Sequence, residues 1–225
     1  MNWKLPNQLT VGRLLLAGVF FTLLSLYDLP GRGGEATWGA WLLNASFVIY
    51  IVAGITDVLD GYFARKWNLT SAFGRIVDPF VDKVLVVGAF AILAGNNFAF
   101  DGSQSAWERS LPGWLTGGMA SGVQAWMVVA VLAREFVVSG VRGYSESQGI
   151  AFPATVWGKL KMLTQSIAIC TVIYQLANVS RPNWAVAVKL TVVWVSVIVT
   201  VLSGLAYVRK ARRLILGKTP ETGSP

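Results

Sequence analysis

Residues 38–64 read WGAWLLNASFVIYIVAGITDVLDGYFA, and no charge interrupts them before Asp57. As a helix this run rises about 40 Å, more than the ~30 Å of a bilayer's hydrocarbon core. Its far end carries two carboxylates, Asp57 and Asp60, three residues apart. A membrane span ending in paired acids therefore sets both the fold class and the place to look for chemistry.

Outward from that run, five more apolar stretches follow the same pattern, at about 8–27, 79–98, 121–143, 156–177 and 184–208. Helices are the expected spanning form, because backbone groups left unpaired in lipid are costly. The fold class expected is all-α integral membrane, with six transmembrane helices preceded by a short interfacial segment around Trp3, Lys4 and Leu5. Residues 1–216 form one membrane domain in this reading, and 217–225 (GKTPETGSP) form a polar, disordered tail. The opening MNWKLPNQLTVGR lacks the apolar core and small-residue cleavage site of a signal peptide.

Composition agrees. The 225 residues are 54% hydrophobic and 13% charged, whereas soluble domains are about 25% charged. The mean hydropathy is +0.56. There is no His, which removes His general bases, phosphohistidine intermediates and His-ligated metals. The single cysteine, Cys170, excludes disulfides within the chain and Cys-based zinc sites, and reads as a small buried hydrophobe. Net charge is +8. In an apolar chain this points to membrane topology and anionic lipid or substrate, with no nucleic acid expected. Lys4, Arg13, Arg65, Lys66, Arg75, Arg142, Lys159, Lys161, Arg209, Lys210, Arg212, Arg213 and Lys218 share one side of a six-span plan. Only Arg32, Arg109 and Arg181 occupy the opposite loops. The positive-inside rule then puts both termini in the cytoplasm. Loops 28–37 and 99–120 show no readable motif.

The stretch from Asp57 to Lys83, DVLDGYFARKWNLTSAFGRIVDPFVDK, holds four of the chain's eleven acidic residues. Asp57 and Asp60 are i,i+3. Asp78 and Asp82 are i,i+4, expected at the start of the third span, and such spacings share a helix face. A hairpin through loop 66–77 would turn the two pairs toward each other. Lys83, Arg65 and Arg75 are too few and too peripheral to neutralise four carboxylates. Hard oxygen donors without His or Cys select Mg²⁺, Mn²⁺ or Ca²⁺, and such ions suggest phosphate chemistry. Salt bridges to basic loop residues are the bland alternative. Gly61, Ala64 and Gly74 leave room beside the carboxylates for a flat group, although small residues also serve plain helix packing.

The pattern Asp57-x-x-Asp60-Gly61-x-x-Ala64-Arg65, eight residues, Gly74-x-x-x-Asp78-x-x-x-Asp82 resembles the signature of the CDP-alcohol phosphatidyltransferase family, with no departure. That resemblance implies a six-span enzyme moving a phosphatidyl group from a CDP-linked lipid to an alcohol, with release of CMP. It implies that Asp57, Asp60, Asp78 and Asp82 ligate two ions of Mg²⁺ or Mn²⁺. Asp82 would also be the catalytic base. Asn7, Asp57, Gly61, Ala64, Arg65 and Gly74 would bind the CDP group. It further implies a homodimer in a bacterial-type inner membrane, with the active site facing the cytoplasm.

Three more elements are similar to the branch of that family whose acceptor is glycerol 3-phosphate. They are Pro6-Asn7-x-Leu9-Thr10-x-x-Arg13, Arg134-Glu135-x-x-x-Ser139-Gly140-x-Arg142, and Gly158-Lys159-x-Lys161-Met162-x-x-Gln165, where Met162 replaces a usual Thr. Thr10, Arg134, Arg142, Lys159 and Lys161 are the expected ligands of the acceptor phosphate. Arg134 and Arg142 lie near one helical face, and clustered cations suit a phosphate monoester. Arg134 lies in an apolar run and needs a partner there. Glu135 points elsewhere by helical phase unless a neighbour binds it. Inositol phosphate, phosphatidylglycerol or serine as acceptor, a divalent-cation transporter, and a structural membrane protein remain as alternatives.

Overall fold

The computed structural model describes residues 5–29, 36–67, 72–100, 102, 104–148, 156–179 and 181–215. The side chains of 5–10, 58, 60–67, 72–79, 82, 146, 156 and 210–215 fall outside that description. Eight α-helices occur among the described residues: α1 (Leu5–Ser25), α2 (Ala36–Trp67), α3 (Ala72–Leu93), α4 (Ala106–Ser110), α5 (Gly113–Thr116), α6 (Ala125–Ser147), α7 (Val156–Asn178) and α8 (Asn183–Ile215). The only β pairing among them is an isolated bridge between Ala99 and Met119.

The six long helices close into a ring. Helix α1 packs on α2 and α3, α2 on α7, α7 on α8, α8 on α6, and α6 on α3, while α3 also reaches α7. The core inside it is aromatic and aliphatic, with Phe20, Leu24, Leu43, Phe90, Met127, Ile169 and Val193 all buried. Outward-facing Leu15, Ile55, Val129, Phe136, Leu163 and Ile198 are exposed, the inverse of a soluble surface and suited to lipid. Ala36–Asp57, Trp157–Asn178 and Asn183–Arg209 are the three segments, among the described residues, long and apolar enough to cross a membrane. Val11–Ser25 and Lys83–Leu93 are shorter apolar helices.

Several boundaries differ from the sequence reading. The third helix begins at Ala72, not near 79, and ends at Leu93. It runs through Pro79, which removes one helical hydrogen bond; packed neighbours let apolar helices tolerate that loss. The connection to α2 is accordingly shorter than 66–77. The first helix starts at Leu5 and absorbs Asn7 and Thr10. Trp3 and Lys4 of the expected interfacial segment, and the tail 217–225, lie outside the described residues.

Residues 94–124 have a structural task that no motif announced. Helix C-termini leave carbonyls without partners, and this segment supplies donors. Asn97 Nδ2 donates to the Ser25 carbonyl at 2.7 Å, and Ser121 Oγ to the Leu93 carbonyl at 2.6 Å. Ser105 and Glu108 form a capping box at the start of α4. From α8, Lys189 Nζ donates to the Ala120 carbonyl at 2.5 Å and Trp194 Nε1 to the Leu115 carbonyl at 3.2 Å. Gly117 ends α5 at φ 59°, the left-handed conformation that favours glycine. This segment closes the ring at the end opposite Asp57.

Candidate active site

The motif residues divide between two neighbours of α1. Asp57, Asp60, Gly61, Ala64 and Arg65 lie in the last third of α2; Gly74, Asp78 and Asp82 lie in the first half of α3. Each aspartate pair thus sits on continuous helix, at spacings that share a face. The side chains of Asp60, Asp78, Asp82, Asn7, Thr10 and Arg65 lie outside the described residues, and among the described residues no three potential metal ligands gather. The quartet is visible through its backbone and through Asp57.

Asp57 has a partner that the sequence reading did not assign. Arg13 reaches across from α1, and its Nη1 stands 2.5 Å from Asp57 Oδ1. Arg13 is 1% exposed, whereas the Asp57 side chain is 36% exposed. The guanidinium is locked in the bundle and the carboxylate faces its edge. Among the described residues, this pairing is with a residue of helix α1.

A second polar cluster joins α6, α7 and α8. Arg134 Nη1 donates to Glu135 Oε1 at 3.0 Å and its Nη2 to Ser203 Oγ at 2.8 Å. The guanidinium lies 5.6 Å from the centre of the Tyr207 ring, a cation–π contact. Gly204 permits this approach, since a Cβ there would stand 3.0 Å from Arg134 Cγ. Lys161 Nζ donates to the same Glu135 Oε1. Next to these, Lys83 Nζ donates to Ser139 Oγ at 2.6 Å, and Ser139 Oγ donates to the Glu135 carbonyl at 2.6 Å.

Of the expected acceptor-site residues, Arg134 and Lys161 converge on one carboxylate and are buried, while Arg142 and Lys159 are exposed on the same helices. Lys83, next to Asp82 in sequence, turns toward α6. Glu135 and Ser139 stood in the motif without an assigned role, and Ser203 and Lys83 were missed as members of this cluster. The available signal was a second charge beside Arg134 in an apolar run, since one buried charge implies another. Lys189, an isolated cation in the last apolar run, was also overlooked. It belongs to the opposite end.

The CDP-alcohol phosphatidyltransferase family pattern matches residues 3–202. A CDP-diacylglycerol–glycerol-3-phosphate 3-phosphatidyltransferase of Bacillus subtilis (strain 168) is 32% identical over 211 residues, covering 92% of this chain and 95% of the relative. Proteins of the same name are 29% identical in Escherichia coli (strain K12), over 96% of this chain and 99% of the relative, and 33% identical in Mycoplasma pneumoniae, over 74% and 66%. The match spans both the aspartate helices and the Arg134–Lys161 cluster, and the chain belongs to the CDP-alcohol phosphatidyltransferase family.

Proposed function

We propose that this protein transfers the phosphatidyl group of CDP-diacylglycerol to sn-glycerol 3-phosphate, forming phosphatidylglycerophosphate and CMP. The observation that carries the reading is the complete eight-position aspartate motif on α2 and α3. The relatives' names and the Arg134, Lys161 and Lys83 cluster support a phosphorylated acceptor.

In this mechanism the 1-hydroxyl oxygen of the acceptor attacks the lipid-side phosphorus. The new P–O bond forms as the bond to CMP breaks, and the hydroxyl proton passes to a carboxylate oxygen of Asp82. Arg65, Asn7, Gly61, Ala64 and Gly74 take the CDP group. Thr10, Arg134, Arg142, Lys159 and Lys161 receive the acceptor phosphate. The donor set fits a hard divalent ion, being carboxylate oxygen in a chain without His. Asp57, Asp60, Asp78 and Asp82 would hold two ions of Mg²⁺ or Mn²⁺. Such ions, when bound, neutralise diphosphate charge and stabilise the leaving group.

The same reading has six spans, both termini and the active site on the cytoplasmic side, and an inner-membrane homodimer. Helices α1, α3 and α6 have 21, 22 and 23 residues, and each therefore rises about 31–35 Å. Trp38, Trp41, Trp126 and Trp184 stand at the starts of α2, α6 and α8, an interfacial belt at the end opposite Asp57. The test is CMP release from CDP-diacylglycerol by purified protein offered one acceptor at a time. Turnover with glycerol 3-phosphate is expected. Turnover with inositol phosphate alone would move the chain to another branch, and metal flux through proteoliposomes without CMP release would favour a transporter.

A further inference from the structure

Among the described residues, Glu135 is the one carboxylate that touches two expected acceptor-site cations. Its Oε1 accepts from Arg134 Nη1 and from Lys161 Nζ, so residues of α6 and α7 meet on a single oxygen. All three residues are buried, at 9%, 6% and 6% exposure for Arg134, Glu135 and Lys161. A Lys ammonium sits on a flexible four-carbon stem and does not hold one direction unaided. Two buried cations side by side also repel unless an anion lies between them. Glu135 meets both needs. One turn further along α6, Ser139 hydrogen-bonds the Glu135 carbonyl and receives Lys83 from α3. Among the described side chains, Arg134, Lys161 and Lys83 bring three positive charges against the one negative charge of Glu135, an excess that suits a phosphate monoester dianion.

We infer that Glu135 is a positioning residue, which orients Lys161 and Arg134 to receive the acceptor's phosphate while it offsets one of their charges. The inference rests on the glycerol 3-phosphate reading above. Without the carboxylate, Lys161 loses its anchor and its buried charge loses compensation, so the ammonium withdraws along its stem toward water. Acceptor binding weakens, while the nucleotide-lipid, held by α1, α2 and α3, is unaffected.

The experiment is steady-state kinetics on full-length protein in mixed micelles, varying each substrate. E135Q is expected to raise KM for glycerol 3-phosphate about tenfold or more, with kcat and KM for CDP-diacylglycerol within about twofold of the parent. E135D, which restores the charge, should recover most of that loss. K161M should raise the same KM, and E135Q/K161M should lose less than the two single losses combined, because Glu135 acts in part through Lys161. An unchanged acceptor KM in E135Q, additive losses in the double variant, or parallel losses for both substrates would overturn the inference; the last would make Glu135 a packing residue only. If E135Q does not fold, E135D decides by the same split between the two KM values. A parent enzyme inactive with glycerol 3-phosphate would instead sink the acceptor reading, and this inference with it.

Discussion

Arg13 and Asp57 show how much one side chain can hold in place. The guanidinium is enclosed by the bundle, while the carboxylate is only partly covered. Losing the Arg13 charge removes a hydrogen bond to a charged group, a loss of about 1.5–3 kcal/mol. It also frees the first aspartate of the motif. R13M is expected to lower kcat at least tenfold and to lower the melting temperature in detergent; R13K, which keeps the charge but loses the fork, should fall between. Full kcat in R13M would show that Asp57 keeps its place without Arg13. D57N should abolish CMP release to below about 1% of the parent while the protein still folds, since the change is nearly isosteric and the side chain is partly exposed. Retained turnover in D57N would remove Asp57 from the metal site.

At the scale of elements, the ring depends on close approaches between helices. Gly88 of α3 faces α1, and a Cβ there would stand 2.5 Å from Phe21 Cζ. G88V must displace that ring or part the helices, and overpacking of this kind costs about 1–3 kcal/mol. A lower melting temperature with KM values unchanged is expected. An unaltered melt would mean that Phe21 swings aside freely. Element existence was legible in the apolar runs, because span length is set by bilayer thickness. The start of α3 was not, because Pro79 reads locally as a boundary and only neighbouring helices let the chain continue through it. The role of 94–124 was equally hidden. Its donors serve the ends of α1 and α3, remote in sequence, although the Ser105–Glu108 capping box could have been read locally.

At the scale of the whole molecule, the predictions concern sidedness and ions. With Cys170 replaced by Ser, a cysteine at Glu221 should react with an impermeant maleimide only from the cytoplasmic side, and one at Ser110 only from the outside. Labelling of both from one side would rule out an arrangement with both termini inside. Excess EDTA should stop CMP release, and added Mg²⁺ or Mn²⁺ should restore it. Turnover that persists in EDTA would contradict a carboxylate-held divalent ion.

What the sequence determined by itself was what repeats locally or sits at fixed spacing. Apolar length implied helices in lipid, and Asp57, Asp60, Asp78 and Asp82 at helical intervals pointed to the family. Charge asymmetry gave an expectation of which end faces the cytoplasm. Only the tertiary structure decided which charges meet. Arg134 and Glu135 are adjacent in the chain, and helical phase points them apart, yet a long guanidinium stem curls back to the carboxylate while Lys161 arrives from another helix. Arg13 finds Asp57 in the same way. Buried charges choose partners by distance across helix interfaces, and those distances are set by the packing of the whole ring.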